Sequence, residues 1–226
     1  MYFELTLEEA TKLITDKLGG KANVKIILPE QKKEVFKDSR NDFSDRGTRA
    51  GLVRDIKTAS NEFRMTIEEI SRIIASEALN DFETVSQNIN TWQGPLDVEM
   101  IEVQKLVLVP ILRAGEPMLT GILKTLPYAR SGFLAMKRDE HTSLSKLFYE
   151  NIPNLEDKTV LLLDPMVATG GSLIDAITYL KTKNPKRIIS LNVIGSPFGV
   201  QKVQEAHFDV DIFIAQIDER LDENNY

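Results

Sequence analysis

Residues 160–172, Val-Leu-Leu-Leu-Asp-Pro-Met-Val-Ala-Thr-Gly-Gly-Ser, pass from an unbroken apolar run into a loop of small and hydroxylated residues that opens a helix. Leu161, Leu162 and Leu163 predict a strand covered on both faces, as in a parallel sheet. Leu173, Ala176, Ile177 and Leu180 then recur at helical spacing. Between these elements, Gly170 and Gly171 let the backbone approach a ligand and adopt angles that a Cβ forbids. Thr169 and Ser172 add hydroxyls, and the unpaired N–H groups and positive dipole end of the helix favour an anion. Asp164 falls at the carboxyl end of the strand, where open α/β sheets bind ligands.

A plain strand-to-helix turn capped by Ser172 would account for Gly170-Gly171-Ser172 alone, because glycine and serine are common there. Asp164-Pro165 ahead of them makes the stretch more specific. No lysine follows the glycines, so this is not a Walker A loop, and the G-x-G-x-x-G spacing of a dinucleotide fold is missing. A sugar phosphate fits better. The loop formed by Pro165, Met166, Val167, Ala168, Thr169, Gly170, Gly171 and Ser172 cradles the phosphate, while Asp164 accepts hydrogen bonds from ribose hydroxyls.

Outward from this stretch, Leu106–Leu112, Phe133–Met136, Ile188–Ile194 and Val210–Ala215 read as further strands. Helices are predicted from about Pro117, over 172–182 and over 199–206. Alternating strands and helices predict an α/β fold, a largely parallel sheet flanked by helices on both faces. Towards the N-terminus, Thr6 with Glu9 and Thr66 with Glu69 form capping-box patterns. The second leads Ile67, Ile70, Ile74 and Ala78 along one helical face. Val24–Leu28 reads as a strand or extended segment. Residues 30–49 carry 11 charges in 20 and read as an exposed loop. The expected organisation is an N-terminal extension or arm over 1–50 and one α/β domain over 51–226.

The chain has no cysteine and two histidines, His141 and His207, which excludes disulfides and a thiol nucleophile and disfavours a zinc site. Its longest apolar run, Leu106–Leu112, is far short of the ~20 residues a spanning helix needs, so no membrane partner is expected. A net charge of −6 argues against a nucleic-acid surface but leaves room for a phosphorylated small substrate. Arg113, Lys137 and Arg138 supply local positive charge. Together these features predict a cytoplasmic protein.

The Asp164–Ser172 stretch resembles the phosphoribosyl-diphosphate loop of the type I phosphoribosyltransferases, in the form carried by the uracil phosphoribosyltransferase family. Other segments agree in the family's order: Trp92-Gln93-Gly94-Pro95, Val109 to Gly115, Arg138-Asp139-Glu140 with Thr142, and Ile217-Asp218-Glu219-Arg220-Leu221 on to Tyr226. The resemblance implies transfer of the phosphoribosyl group of 5-phosphoribosyl 1-diphosphate to uracil, giving UMP. It implies that Arg113 binds diphosphate in a loop with a non-proline cis peptide near Arg113-Ala114. It makes Arg138 a second diphosphate arginine at the base of a mobile hood that reaches Asn154. Asp164, Arg113 and Arg138 are then the catalytic candidates. Mg²⁺ is expected to arrive with the substrate, without a set of protein ligands. A homodimer or homotetramer and GTP regulation are further implications. Lys137, Lys146 and His141 read as solvated loop residues, His207 as a helix-end residue and Tyr149 as hood packing.

Two departures stand out. In the family, a glycine-rich segment that recognises the base follows the position of Tyr226, so that segment is expected to lie beyond the 226 residues of a truncated sequence. Glu116 stands where the family has an apolar residue, beside the diphosphate loop. Transfer to another base, or a catalytically impaired regulator or nucleotide-binding homologue, are the alternative readings.

Overall fold

The computed structural model describes residues 24–26, 49–138 and 145–218. The helix expected after Thr6, most of the charged 30–49 segment, His141, Thr142 and the stretch after Asp218 lie outside these residues. In chain order the elements are β1 (Val24–Ile26), α1 (Arg49–Arg54), α2 (Ser60–Ala78), β2 (Thr84–Thr91), β3 (Gly94–Ile101), β4 (Leu106–Leu112), α3 (Glu116–Leu123), β5 (Arg130–Ser131) and β6 (Phe133–Arg138). They continue as β7 (Ser145–Asn151), β8 (Thr159–Leu163), β9 (Met166–Val167), α4 (Gly171–Lys181), β10 (Arg187–Gly195), α5 (Pro197–Ala206) and β11 (Asp211–Ile217).

Among the described residues nine strands form one sheet in the order β1-β11-β10-β8-β4-β6-β7, with β5 beside β4 and β9 beside β10. Every pairing is parallel except that of β6 with β7. Successive side chains of a strand point to opposite faces, so the apolar run of β8 divides between two cores. Val160 and Leu162 pack with Leu173, Ile177 and Leu180 of α4 and with Val200 and Val203 of α5. Leu161 and Leu163 pack on the other face with Ile67, Ile70 and Ile74 of α2 and with Met118 and Ile122 of α3. Both faces of the central strands are thereby dry, as their unbroken hydrophobicity requires.

Two local expectations change. Thr66 does not cap α2: the helix starts at Ser60, and the Thr66 hydroxyl donates to the Glu62 carbonyl inside it (2.8 Å). The Ile67, Ile70, Ile74 and Ala78 face is nonetheless buried as read. The polar stretch leading to Asn154 is not all loop, because β7 pairs antiparallel with β6 along the sheet edge. An antiparallel hairpin of β2 and β3 stands outside the main sheet, with Trp92 at its tip 92% exposed.

His207 ends α5 and is buried against α4. Its Nε2 lies 3.1 Å from the Ile174 carbonyl, and its Nδ1 lies 3.2 Å from Lys181 Nζ, which also pairs with Asp209 (2.6 Å). Nε2–H therefore donates to the carbonyl and Nδ1 accepts from the ammonium, an arrangement that only the neutral ring satisfies. Burial holds the His207 pKa below its ordinary value; the Ile174 carbonyl opposes this, and Lys181 adds to it. The unfolded ring binds protons more readily, so its contribution is complete above about pH 6.5 and is lost as pH falls below that. Melting curves at pH 7.5 and 5.5 are expected to show a smaller acid-induced drop in Tm for His207→Gln than for the parent chain. An equal drop in both would remove the linkage.

Candidate active site

The carboxyl ends of three adjacent strands, β8, β4 and β6, carry Asp164, Arg113 and Arg138 respectively. Asp164 follows β8 directly, half-buried, with its backbone N–H donating to Leu191 O (3.2 Å). Burial pushes its carboxyl up to about 7, opposed by a hydrogen bond from the Met166 backbone N–H. Arg113 follows β4 and is exposed. The cis peptide is Leu112–Arg113, one bond before the expected position. The next residues turn into α3 through Gly115 N–H to Ile111 O (2.9 Å) and Glu116 N–H to Arg113 O (3.2 Å). A Cβ on Gly115 would strike the Leu163 carbonyl oxygen, so the Arg113 loop lies directly against the residue that precedes Asp164. Arg138 closes β6, opposite Ser145 of β7.

The cradle itself runs from Pro165 to Ser172. Met166 and Val167 form β9 beside β10, and Gly170 is the N-cap of α4 with φ 77°, a left-handed conformation suited to glycine. Ser172 lies within the first turn of the helix instead of capping it. A Cβ on Gly170 would come 2.7 Å from Gly199 O, because α5 packs onto the loop there. Gly171 differs. It is exposed, and the nearest atom to a Cβ built on it is Thr169 Oγ1 at 4.0 Å. The described residues leave space in front of Gly171, at the N-terminus of an 11-residue helix, where N–H groups without helical acceptors attract an anion.

The loop carbonyls point inward to partners that motif reading misses. Pro165 O accepts from Val193 N–H (3.1 Å) and Ile194 N–H (3.0 Å), and Val167 O accepts from Ser196 N–H (2.9 Å). Asn192 Nδ2 donates to Asp164 O and Ser196 Oγ to Ala168 O. Polar residues on an otherwise apolar central strand were the available signal. Lys137 and Lys146 take their places in β6 and β7, Tyr149 is half-exposed on β7, and Glu116 is exposed with no ion pair to Arg113.

A family model described as uracil phosphoribosyltransferase matches residues 48–226. The chain belongs to the uracil phosphoribosyltransferase family. A relative from Clostridium acetobutylicum named uracil phosphoribosyltransferase is 42% identical over 176 residues, covering 77% of this chain and 84% of that protein. One of the same name from Clostridium beijerinckii is 38% identical over the same shares of the two chains. A solved structure from Aquifex aeolicus superposes with a TM-score of 0.75 at 35% identity, over 79% of this chain and 86% of that one. Fold and family thus agree with the expectation from Asp164–Ser172.

The two glycines are expected to separate by role. Gly170→Ala meets both the left-handed backbone and Gly199, and should lower stability by about 1–3 kcal/mol. Gly171→Ala should leave Tm within a few degrees while weakening ribose 5-phosphate binding, as read by thermal melts and titration calorimetry. The raised Asp164 pKa gives a second test. Its protonated form is favoured by folding, so stability is lost as pH rises through about 7. Asp164→Asn should therefore raise Tm by several degrees at pH 8 and by less at pH 5.5, while lowering turnover. A variant no more stable than the parent at pH 8 would contradict the burial argument.

Proposed function

We infer that the chain is a uracil phosphoribosyltransferase of pyrimidine salvage, converting uracil and 5-phosphoribosyl 1-diphosphate to UMP and diphosphate. The observation that carries this reading is the open space before Gly171 at a helix N-terminus, beside Asp164 and the Arg113 loop. The 5-phosphate sits on the backbone and hydroxyl donors of Ala168 to Ser172, and the Asp164 carboxyl accepts from the ribose hydroxyls. In the reaction a uracil nitrogen forms a bond to C1′ as the C1′–O bond to diphosphate breaks. The bonding pair leaves with the diphosphate, and the nitrogen's proton passes to solvent. Positive charge grows on the ribose ring and negative charge on the leaving group. Asp164 faces the first; the planar guanidinium groups of Arg113 and Arg138 suit the second. No covalent nucleophile is needed.

Mg²⁺ belongs to this reading as an ion carried by the diphosphate, where it would neutralise charge on the leaving oxygens. Among the described residues no group of three or more His, Asp or Glu side chains could enclose a metal, and Asp164 is the carboxylate at the cradle. In this reading the metal would be held largely by substrate oxygens and water. We assign residues 51–226 to the catalytic domain and 1–50 to an extension. A cytoplasmic homo-oligomer with GTP as effector completes the proposal, and the exposed Val85, Leu96, Met100 and Trp92 of the hairpin offer apolar surface for a second copy.

An assay of radiolabelled uracil converted to UMP tests the activity. In that assay Arg113→Ala is expected to lower kcat/KM by about 2–4 kcal/mol of transition-state stabilisation, roughly 30- to 800-fold. Unchanged turnover and KM in the variant would sink the role given to Arg113.

A further inference from the structure

Three polar side chains on β10 and its exit are buried to within a few per cent: Ser190 (0% exposed), Asn192 (0%) and Ser196 (2%). Ser190 Oγ donates to Asn192 Oδ1 (2.8 Å), and Asn192 Nδ2 donates to the Asp164 carbonyl (2.7 Å). Ser196 Oγ accepts from Gly199 N–H (2.9 Å) and donates to the Ala168 carbonyl (2.6 Å). Each group is satisfied, and each chain of bonds ends on a cradle carbonyl. For packing alone, a β-branched apolar residue would serve a central strand better, since polar groups lose hydration on burial.

Geometry explains the choice of endpoints. Asp164 opens the cradle loop and Ala168 lies at its middle, so the two bonds fix the loop at two separate points. The peptide unit is planar and trans, which sets the Ala168 C=O and the Thr169 N–H on opposite sides of one plate. Drawing the Ala168 oxygen inward to Ser196 turns the Thr169 N–H the other way, away from Ser196. Holding the Asp164 carbonyl on Asn192 likewise fixes the backbone from which the carboxyl reaches out of the sheet edge. We propose that Asn192 and Ser196 are positioning residues that hold the cradle loop in its ligand-binding shape, and so set affinity for the phosphoribosyl donor without touching it. The proposal rests on the donor assignment made above.

Substitutions at Ser196 separate positioning from helix capping. Glycine is nearly as good an N-cap as serine but has no hydroxyl to hold Ala168, whereas threonine keeps both functions. Ser196→Gly is expected to weaken ribose 5-phosphate binding about tenfold by titration calorimetry, and to raise KM for phosphoribosyl diphosphate by a similar factor. KM for uracil should stay within about twofold. Ser196→Thr should recover donor affinity, and Asn192→Leu should repeat the donor-specific loss. If Asn192→Leu fails to fold, the Ser196 pair carries the test. A Ser196→Gly protein with unchanged ribose 5-phosphate affinity overturns the proposal, as does a loss spread equally over donor and uracil. Failure of the parent chain to form UMP would reject the catalytic reading alone, because ribose 5-phosphate titration still reports on the cradle.

Discussion

Peptide planarity is the constraint on which the site depends. A loop that presents N–H groups to a ligand must turn carbonyl groups the other way, into an interior where an unpaired one costs about 1–3 kcal/mol. Here the inward carbonyls of Asp164, Pro165, Val167 and Ala168 end on β10 and the start of α5, and Gly170 O accepts the Ile174 N–H of α4. The cradle is thus the outer side of a hydrogen-bonded structure whose inner side is the parallel sheet. This explains why α5 must approach so closely: a Cβ on Gly199 would strike the Ala168 carbonyl oxygen.

Charge at the site follows from the same burial. The two apolar cores reach the end of β8, so Asp164 begins where the dry interior stops, and its carboxyl is harder to ionise than one in water. Arg113, one strand away, is exposed and keeps its charge in water. In the proposed reaction, a partly desolvated acid on one strand and a hydrated cation on the next would suit a substrate that separates into a cationic ribose and an anionic leaving group.

Legibility in the sequence followed the physics of burial. β4 is legible with its observed limits, and β8 through its apolar centre Leu161–Leu163, because strands covered on both faces must be apolar throughout. The start of α2 was misread because Thr66-x-x-Glu69 looks like a cap, although the helix already runs through it. β2 and β7 lack the signal because their side chains do not alternate cleanly, whereas β3 carries it in Leu96-Asp97-Val98-Glu99-Met100 although the strand lies outside the main sheet. Within the site, the glycines declare themselves through local backbone geometry. Asn192 and Ser196 do not: each reaches a carbonyl 28 residues away, and only the parallel pairing of β10 with β8 and β9 brings them there.

The same edge of the sheet is built by two kinds of force. Around the cradle, backbone bonds and buried side chains fix the loop, and neither responds strongly to ionic strength. At the end of β11 the tie is ionic. Arg54 of α1 donates from Nε to Asp218 (2.8 Å) and from Nη1 to Gln216 (2.7 Å), and its Nη2 also pairs with Asp218. The Arg54 and Asp218 side chains are 31% and 34% exposed, so salt screens the pair, and its contribution is on the order of 1 kcal/mol. Asp218 N–H in turn donates to Gly195 O, next to Ser196, which joins the ionic tie to the buried one. The hold on the edge therefore weakens from β8 towards β11: the loop from Asp164 to Ser172 is set by the core, and the part beyond it is held by a fork that water can compete for.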